Sequence, residues 1–237
     1  IIGGGASGLM AAYGAAKTLA DRDVCAQVTV LEKMPRPARK IMITGKGRCN
    51  FTNLKDWNEF SQHIRSKVNF LKPAFYNLNS ENMIQFFNDN GMETVVERGD
   101  RAFPASYHAS EVVDTLLRAA TKAGAVVRTD SEVKSVVCNE SSEGQVFMVA
   151  CKDGRSYSCR CLIIATGGLS YPGTGSTGDG YGWAKYFGHT IKECFPSLTA
   201  LVPKGYKMLD GSVSESVGTV AARVLSGGAE KRFEPVS

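Results

Sequence analysis

The spacing of apolar positions changes several times along the chain, and each change marks an element. Residues 9–20 are dense in alanine and leucine, which predicts a helix packed beneath a sheet, and 28–31 (Val-Thr-Val-Leu) predict a short strand. Between 57 and 90 the pattern is helical. Phe60, Ile64, Val68 and Leu71 recur at spacings of four and three, a break is expected near Pro73, and Met83, Phe86 and Phe87 follow a cap at Asn79 or Ser80. These aromatics read as core. A hairpin is expected from 94–97 and 101–103, turned at Arg98-Gly99-Asp100. The next helix carries Val112, Val113, Leu116, Leu117 and Ala120 on one face and stops at Gly124.

From residue 125 the period becomes strand-like. Segments 125–128, 133–137, 145–151 and 156–160, with turns at Glu143-Gly144 and Asp153-Gly154, read as an antiparallel meander. Residues 162–165 form the unbroken apolar run of a buried parallel strand, and Thr166-Gly167-Gly168 after them lets a ligand come close. Residues 176–180 open another helix, which ends at Gly188. Beyond Pro196, short strands at 198–202, 216–220 and 222–225 mark a change of texture. The expected organisation is an α/β domain over 1–196, holding the helical segment 57–90, and the beginning of a β-rich domain over 197–237.

The chemistry concentrates at the amino end, where Gly3, Gly5 and Gly8 read G-x-G-x-x-G straight after two isoleucines. In this motif the first glycine permits a tight strand-to-helix turn, the second lets the backbone approach a pyrophosphate, and the third lets helix and strand pack closely. The pyrophosphate then meets the free N–H groups of a helix N-terminus. Glu32 ends the next strand, 24 positions after Gly8, near the position about 20 residues on where an acid accepts ribose hydroxyls. The alternative is glycine packing with Glu32 as a surface charge. A first strand normally brings about five residues, so a start at Ile1 predicts that the chain begins inside that strand. Residues 33–53 are rich in proline, glycine and basic side chains and read as an extended loop, suited to phosphate and ribose or simply mobile.

Composition narrows the partners. With 43% hydrophobic and 22% charged residues the chain is ordinary globular protein, and no stretch approaches the roughly 18 apolar residues of a membrane helix. The net charge of +5 is dispersed instead of forming runs, so nucleic acid is not an expected partner. Seven cysteines without a C-x-x-C argue against a disulfide framework and fit a reducing cytoplasm. Cys159 and Cys161 share a strand face, but with three histidines in the chain no metal site is expected.

Four motifs together carry a family likeness: Gly-Gly-Gly-Ala-Ser-Gly at 3–8, Thr44-Gly-Lys-Gly-Arg-Cys-Asn-Phe-Thr-Asn53, Glu97-Arg-Gly-Asp-Arg-Ala-Phe-Pro104, and the glycine-rich run from Ala165 to Tyr181. In this order they resemble the bacterial BaiN/YhiN-like flavoproteins, also labelled NAD(P)/FAD-dependent oxidoreductases, aminoacetone-oxidase-family FAD-binding enzymes or 3-dehydro-bile-acid Δ4,6-reductase-like proteins. The likeness runs to about residue 205. It implies a Rossmann-like FAD domain of the glutathione-reductase/fumarate-reductase type with an inserted β-barrel domain. The family chain is longer and returns to the flavin with a closing segment, so the resemblance implies an N-terminal fragment.

Carried over by position, the resemblance implies that Gly3, Gly5, Ala6, Ser7 and Gly8 hold the FAD pyrophosphate, that Glu32 takes the adenosine ribose, and that Lys33 flanks it. Lys40, Thr44, Gly45, Arg48, Cys49 and Asn50 correspond to the loop along the ribityl and flavin part, with Arg48 as counter-charge. Val133 corresponds to the backbone contact with adenine, Thr166 and Gly167 to a second flavin-contacting strand end, and Gly178 and Asp179 to a helix start directed at the cofactor.

Flavin supplies the redox chemistry in such proteins, so no nucleophile is required. His63, His108 and His189 read as surface or capping residues, and a P-loop is missing. The catalytic set is unassigned, with two candidates. Tyr171 is suited to donate a proton and Arg101 to bind an anionic substrate, unless Tyr171-Pro172 fixes a turn and Arg101 pairs within its hairpin. No second G-x-G-x-x-G follows a strand, so NAD(P)H, if it is the reductant, visits transiently. The expectation is an FAD-dependent oxidoreductase acting on a small molecule. The alternatives are a non-catalytic flavin-binding or redox-sensing module, a flavoprotein of nucleic-acid modification, and an NAD-dependent dehydrogenase.

Overall fold

The computed structural model describes residues 1–64, 67–141, 144–194, 220–221 and 234–235. Helix α1 (Ala6–Asp21) rises directly from the glycine turn and leads to strand β1 (Thr29–Leu31). Ala12 and Ala16 have no bulk beyond a methyl, so α1 lies close over Val30, Ala120 and Ala125 in one buried cluster. Ile2 sits between two parallel neighbours, bridging to Leu31 on one side and Ile164 on the other. Its backbone donates to the Ile163 carbonyl at 2.9 Å and accepts from Ala165 at 2.8 Å. The run 162–165 is thereby placed beside the amino end, as its unbroken apolar character requires.

Residues 33–53 are not a structureless loop. They hold α2 (Arg39–Met42), a 3-10 turn (Thr44–Gly47) and β2 (Thr52–Asn53). The bend into α2 is made by Ala38, a buried non-glycine residue at φ +54° whose N–H is held by the Gly4 carbonyl at 2.9 Å. Three helices follow: α3 (Trp57–Ser61), α4 (Val68–Asn77) and α5 (Ser80–Asp89). Pro73 lies inside α4 instead of ending it; the helix forgoes the one hydrogen bond proline cannot donate. Asn79 is the cap of α5, its side chain accepting from Asn82 N at 2.8 Å.

The hairpin of β3 (Thr94–Glu97) and β4 (Arg101–Pro104) turns where expected, and β2 pairs with the outer side of β4. Helix α6 (Ala109–Lys122) buries Val112, Val113, Leu116, Ala119 and Ala120, while Leu117 is only partly covered. Strand β5 (Val126–Arg128) does not join the meander. It pairs in parallel with β1, Val30 opposite Val127, because the link at Asp130 and Ser131 is bonded to Met34 and Glu32 and no hairpin turn leads onward. The meander is β6 (Val133–Ser141), β7 (Gly144–Cys151) and β8 (Ser156–Cys159), all antiparallel. A 3-10 turn (Pro172–Thr174) and α7 (Asp179–Tyr186) complete the glycine-rich stretch.

By contacts the chain divides into Ile1–Ile191 and Lys192–Ser237. In the second unit β9 (Val220–Ala221) pairs antiparallel with β10 (Glu234–Pro235). The expected strands at 198–202 and 222–225, and that at 216–220 apart from Val220, lie outside the described residues. No described helix is long and apolar enough to cross a membrane.

Candidate functional site

The parallel strand ends, the start of α1, α2 and the start of α7 enclose a cavity of about 410 Å³, within the roughly 300–1,000 Å³ usual for ligand clefts. The three motif glycines do different work there. Gly3 adopts φ +102°, and a Cβ on it would lie 2.5 Å from the Ala165 carbonyl oxygen. At Gly8 a Cβ would lie 1.9 Å from the Gly3 oxygen, so turn and helix meet backbone to backbone. A Cβ on Gly5 would meet nothing within 4 Å. Gly5 lines the cavity and is the N-cap of α1, which has no side-chain cap and no acid in its first turn. With Ala6 and Ser7 also on the wall, an uncompensated helix N-terminus borders the cavity, the arrangement that favours an anion.

Glu32 is 8% exposed at the end of β1. One carboxylate oxygen accepts from Gly4 N at 2.7 Å and the other from Met34 N at 2.8 Å. Its position is therefore fixed, and the remaining lone pairs are free to accept hydroxyls. Lys33, next along the wall, donates to Asp179 at 2.7 Å and to Thr177 at 2.5 Å. Burial alone would raise the Asp179 carboxyl. The hydrogen bonds from Lys33 and Thr177 and the Lys33 charge outweigh it and hold the group below its ordinary value. Thr166 Oγ1 accepts from Gly180 N at 3.1 Å, and the absent Cβ of Gly180, which would lie 2.4 Å from that oxygen, lets α7 approach so closely.

The cavity brings together Gly3, Gly5, Ala6, Ser7, Glu32, Lys33, Lys40, Thr44, Val133, Thr166, Gly167 and Asp179. Gly8 and Gly178 lie behind its wall as packing positions, a Cβ on Gly178 falling 2.5 Å from Leu169 Cδ2. Gly45, Arg48, Cys49 and Asn50 do not line it. Gly45 is left-handed and close to Asn50 N. Arg48 pairs with Glu97 at 3.3 Å and lies 4.8 Å over the Phe103 ring. Asn50 donates to the Thr52 and Ala102 carbonyls, both at 3.0 Å. Cys49 is packed in the core beside Leu9 and Phe87; burial pushes its thiol up, and a hydrogen bond with Thr44 only partly offsets this.

Neither catalytic candidate lines the cavity. Tyr171 is 65% exposed, and its carbonyl accepts from Thr174 N and Oγ1 at 2.9 and 2.7 Å, fixing the turn at Pro172. Arg101 lies 3.6 Å from Glu97 and donates to the Arg98 carbonyl at 3.2 Å. His63, His108 and His189 are exposed, and no group of three metal-ligating side chains gathers among the described residues. Thr174 and Ser176, within the glycine-rich run but not singled out there, also line the cavity, as do Arg39, Ser131 and Trp183, which no motif marks.

The family model for the HI0933-like protein Rossmann domain matches residues 1–229. The chain is 31% identical over 222 residues to a 3-dehydro-bile acid delta(4,6)-reductase of Clostridium scindens, covering 94% of this chain and 51% of that protein. It is 32% identical over 210 residues to a ribosomal RNA dihydrouridine synthase of Haemophilus influenzae, covering 89% of this chain and 49% of that one. The chain thus spans about half the length of the curated relatives it matches. Among solved structures, the open conformation of a flavocytochrome c3 fumarate reductase aligns with a TM-score of 0.49 and 20% identity, over 78% of this chain and 39% of that chain.

Proposed function

The chain belongs to the HI0933-like Rossmann-domain family, and from that premise we propose that it carries the FAD-binding part of a flavin oxidoreductase whose acceptor or donor is a small molecule. The observation that carries this reading is the pairing of Glu32 with the uncapped start of α1 on one cavity wall. An acid for ribose and bare amides for pyrophosphate are the two features a dinucleotide requires. Gly5 leaves open the space a side chain would fill. Gly3, Gly5, Ala6 and Ser7 hold the pyrophosphate, Glu32 binds the ribose hydroxyls, Val133 borders the adenine, and Thr166 and Gly167 flank the flavin side. Bound there, FAD supplies hydride exchange at its ring, and the protein supplies orientation and exclusion of water. The cysteines are free thiols, the state a reducing cytoplasm preserves.

The test is to isolate the full-length protein, record its visible spectrum and identify the nucleotide released on denaturation. FAD is expected. Release of NAD would indicate a nicotinamide dehydrogenase instead, and flavin that is reduced without any turnover would indicate a redox-sensing module. Replacing Glu32 by alanine should weaken FAD binding at least about tenfold, because a hydrogen bond to a charged group contributes roughly 1.5–3 kcal/mol. It should also lower stability, since the buried Gly4 amide and the part-buried Met34 amide lose their acceptor. Unchanged affinity would remove Glu32 from the site.

A second reading has a specific observation behind it. The similarity to a ribosomal RNA dihydrouridine synthase is as high as that to the bile-acid reductase, and both printed activities reduce an unsaturated carbonyl-bearing ring. Incubating the reduced full-length protein with unmodified ribosomal RNA and assaying dihydrouridine separates the two. Product in RNA would favour the nucleic-acid acceptor; its absence, with turnover of a small enone, favours the first reading.

A further inference from the structure

The cavity's charged groups can be followed one by one. Glu32 accepts two backbone amides, and Lys33 and Asp179 neutralise each other at 2.7 Å. Two cations remain on the wall, Arg39 and Lys40. Lys40 reaches across to the Ser170 hydroxyl at 3.2 Å, whereas Arg39 has no hydrogen bond or ion pair among the described residues. Arg39 is also held close to the glycine turn. The preceding residue, Ala38, is buried and left-handed, and its N–H is bonded to the Gly4 carbonyl at 2.9 Å. The first residue of α2 is therefore tied to the same loop whose next residue, Gly5, caps α1.

Resting on the FAD reading above, we infer that Arg39 is the diphosphate counter-charge of this site; the resemblance implies a counter-charge only at Arg48, beside the ribityl and flavin part. Arg48 is engaged by Glu97 and by the Phe103 ring, and neither it nor they line the cavity. Arg39, although exposed, lines the cavity together with Gly5, Ala6 and Ser7 of the uncapped α1 start, which Arg48 does not, and its guanidinium has five donors without a partner among the described residues. A guanidinium suits phosphate oxygens better than an ammonium because its planar fork donates two parallel bonds. Backbone amides and a free cation then act together on one doubly charged group.

The experiment uses the full-length wild-type protein and two variants, Arg39→Gln and Arg39→Lys, with thermal melting to confirm that each is folded. Affinities for FAD and for riboflavin, which lacks phosphate, are measured at low and high salt. Arg39→Gln should weaken FAD about 10- to 100-fold, the range for losing charge-assisted hydrogen bonds, and should flatten the salt dependence of FAD binding. Riboflavin affinity should stay within about twofold of wild type. Arg39→Lys should recover part of the loss. FAD affinity unchanged in Arg39→Gln, or an equal fall for riboflavin, would overturn the assignment while leaving the FAD reading intact. Wild-type protein that takes up no FAD would overturn the FAD reading itself, and the assignment with it.

Discussion

The chain has two glycine-rich turns that look alike on paper, Gly3 to Gly8 and Thr44 to Asn50, and the structure uses them in opposite ways. In the first, the glycines remove side chains so that turn, helix and Ala165 meet backbone to backbone, and the α1 amides are left bare at a cavity. In the second, Gly45, Lys46, Gly47 and Cys49 all have positive φ, and the polar groups close on the protein itself. Arg48 turns to Glu97 and Phe103, Asn50 to two carbonyls, and Cys49 into the core. Of the second turn only Thr44 lines the cavity, so glycine content alone does not put a turn's donors on it. What distinguishes the two is whether the donors a turn exposes are already satisfied.

The sharpest way to break this comparison lies within the first turn. Gly8→Ala puts a methyl 1.9 Å from the Gly3 oxygen, and the resulting backbone shift should cost about 3 kcal/mol, at the upper end of overpacking penalties. Gly5→Val should do the reverse. Gly5 has φ −75° and ψ −174°, an extended conformation open to any residue, and open space where its side chain would go. Its denaturation midpoint should match wild type while FAD uptake is lost. A stability loss at Gly5 as large as at Gly8 would mean that the first turn is packing throughout.

A smaller effect separates the ion pairs of the two regions. Lys33–Asp179 is 2.7 Å long with side chains 19% and 35% exposed, whereas Arg48–Glu97 is 3.3 Å at 44% and 26%. The Asp179 carboxyl is held below its ordinary value in the folded protein, so the stability it contributes is present above about pH 4 and is lost as the pH falls through the lower folded value. Asp179→Asn should cost about 1 kcal/mol or less near neutrality, as expected of a partly exposed pair. It should also remove that part of the acid limb. Urea midpoints of both proteins, followed downward from neutral pH, check this; parallel curves would show that Asp179 is not a stabilising partner.

Much of this was legible in local pattern. The hairpin over β3 and β4, the Asn79 cap and the buried face of α6 depend on residues close in sequence, where turn chemistry and helical period act directly. The partner of β5 was not legible. Val126-Val127-Arg128 has the same β-forming texture as the meander strands, and only the distant β1 and the anchoring of Ser131 to Glu32 decide its pairing. Glu32 was legible because a short βαβ unit fixes where its acid falls. Arg39 was not, since its neighbours Lys40 and Arg36 are equally basic and only the folded chain, which gives Asp114 to Arg36 and Ser170 to Lys40, leaves Arg39 without a partner among the described residues.

The smallest expected effect bears most directly on the second turn. Arg48→Ala removes an exposed ion pair and a guanidinium 4.8 Å over Phe103, together worth about 0.5 kcal/mol at such a site. Its FAD affinity should stay within about twofold of wild type, because nothing that Arg48 touches lines the cavity. The contrast with Arg39→Gln is then complete: one arginine alters affinity and spares stability, and the other does the opposite. A tenfold loss of FAD binding in Arg48→Ala would mean that the Thr44 to Asn50 turn rearranges around the cofactor and releases its guanidinium from Glu97. The two turns would then be parts of one site, and the self-satisfied bonds of the second would describe only the protein without its ligand.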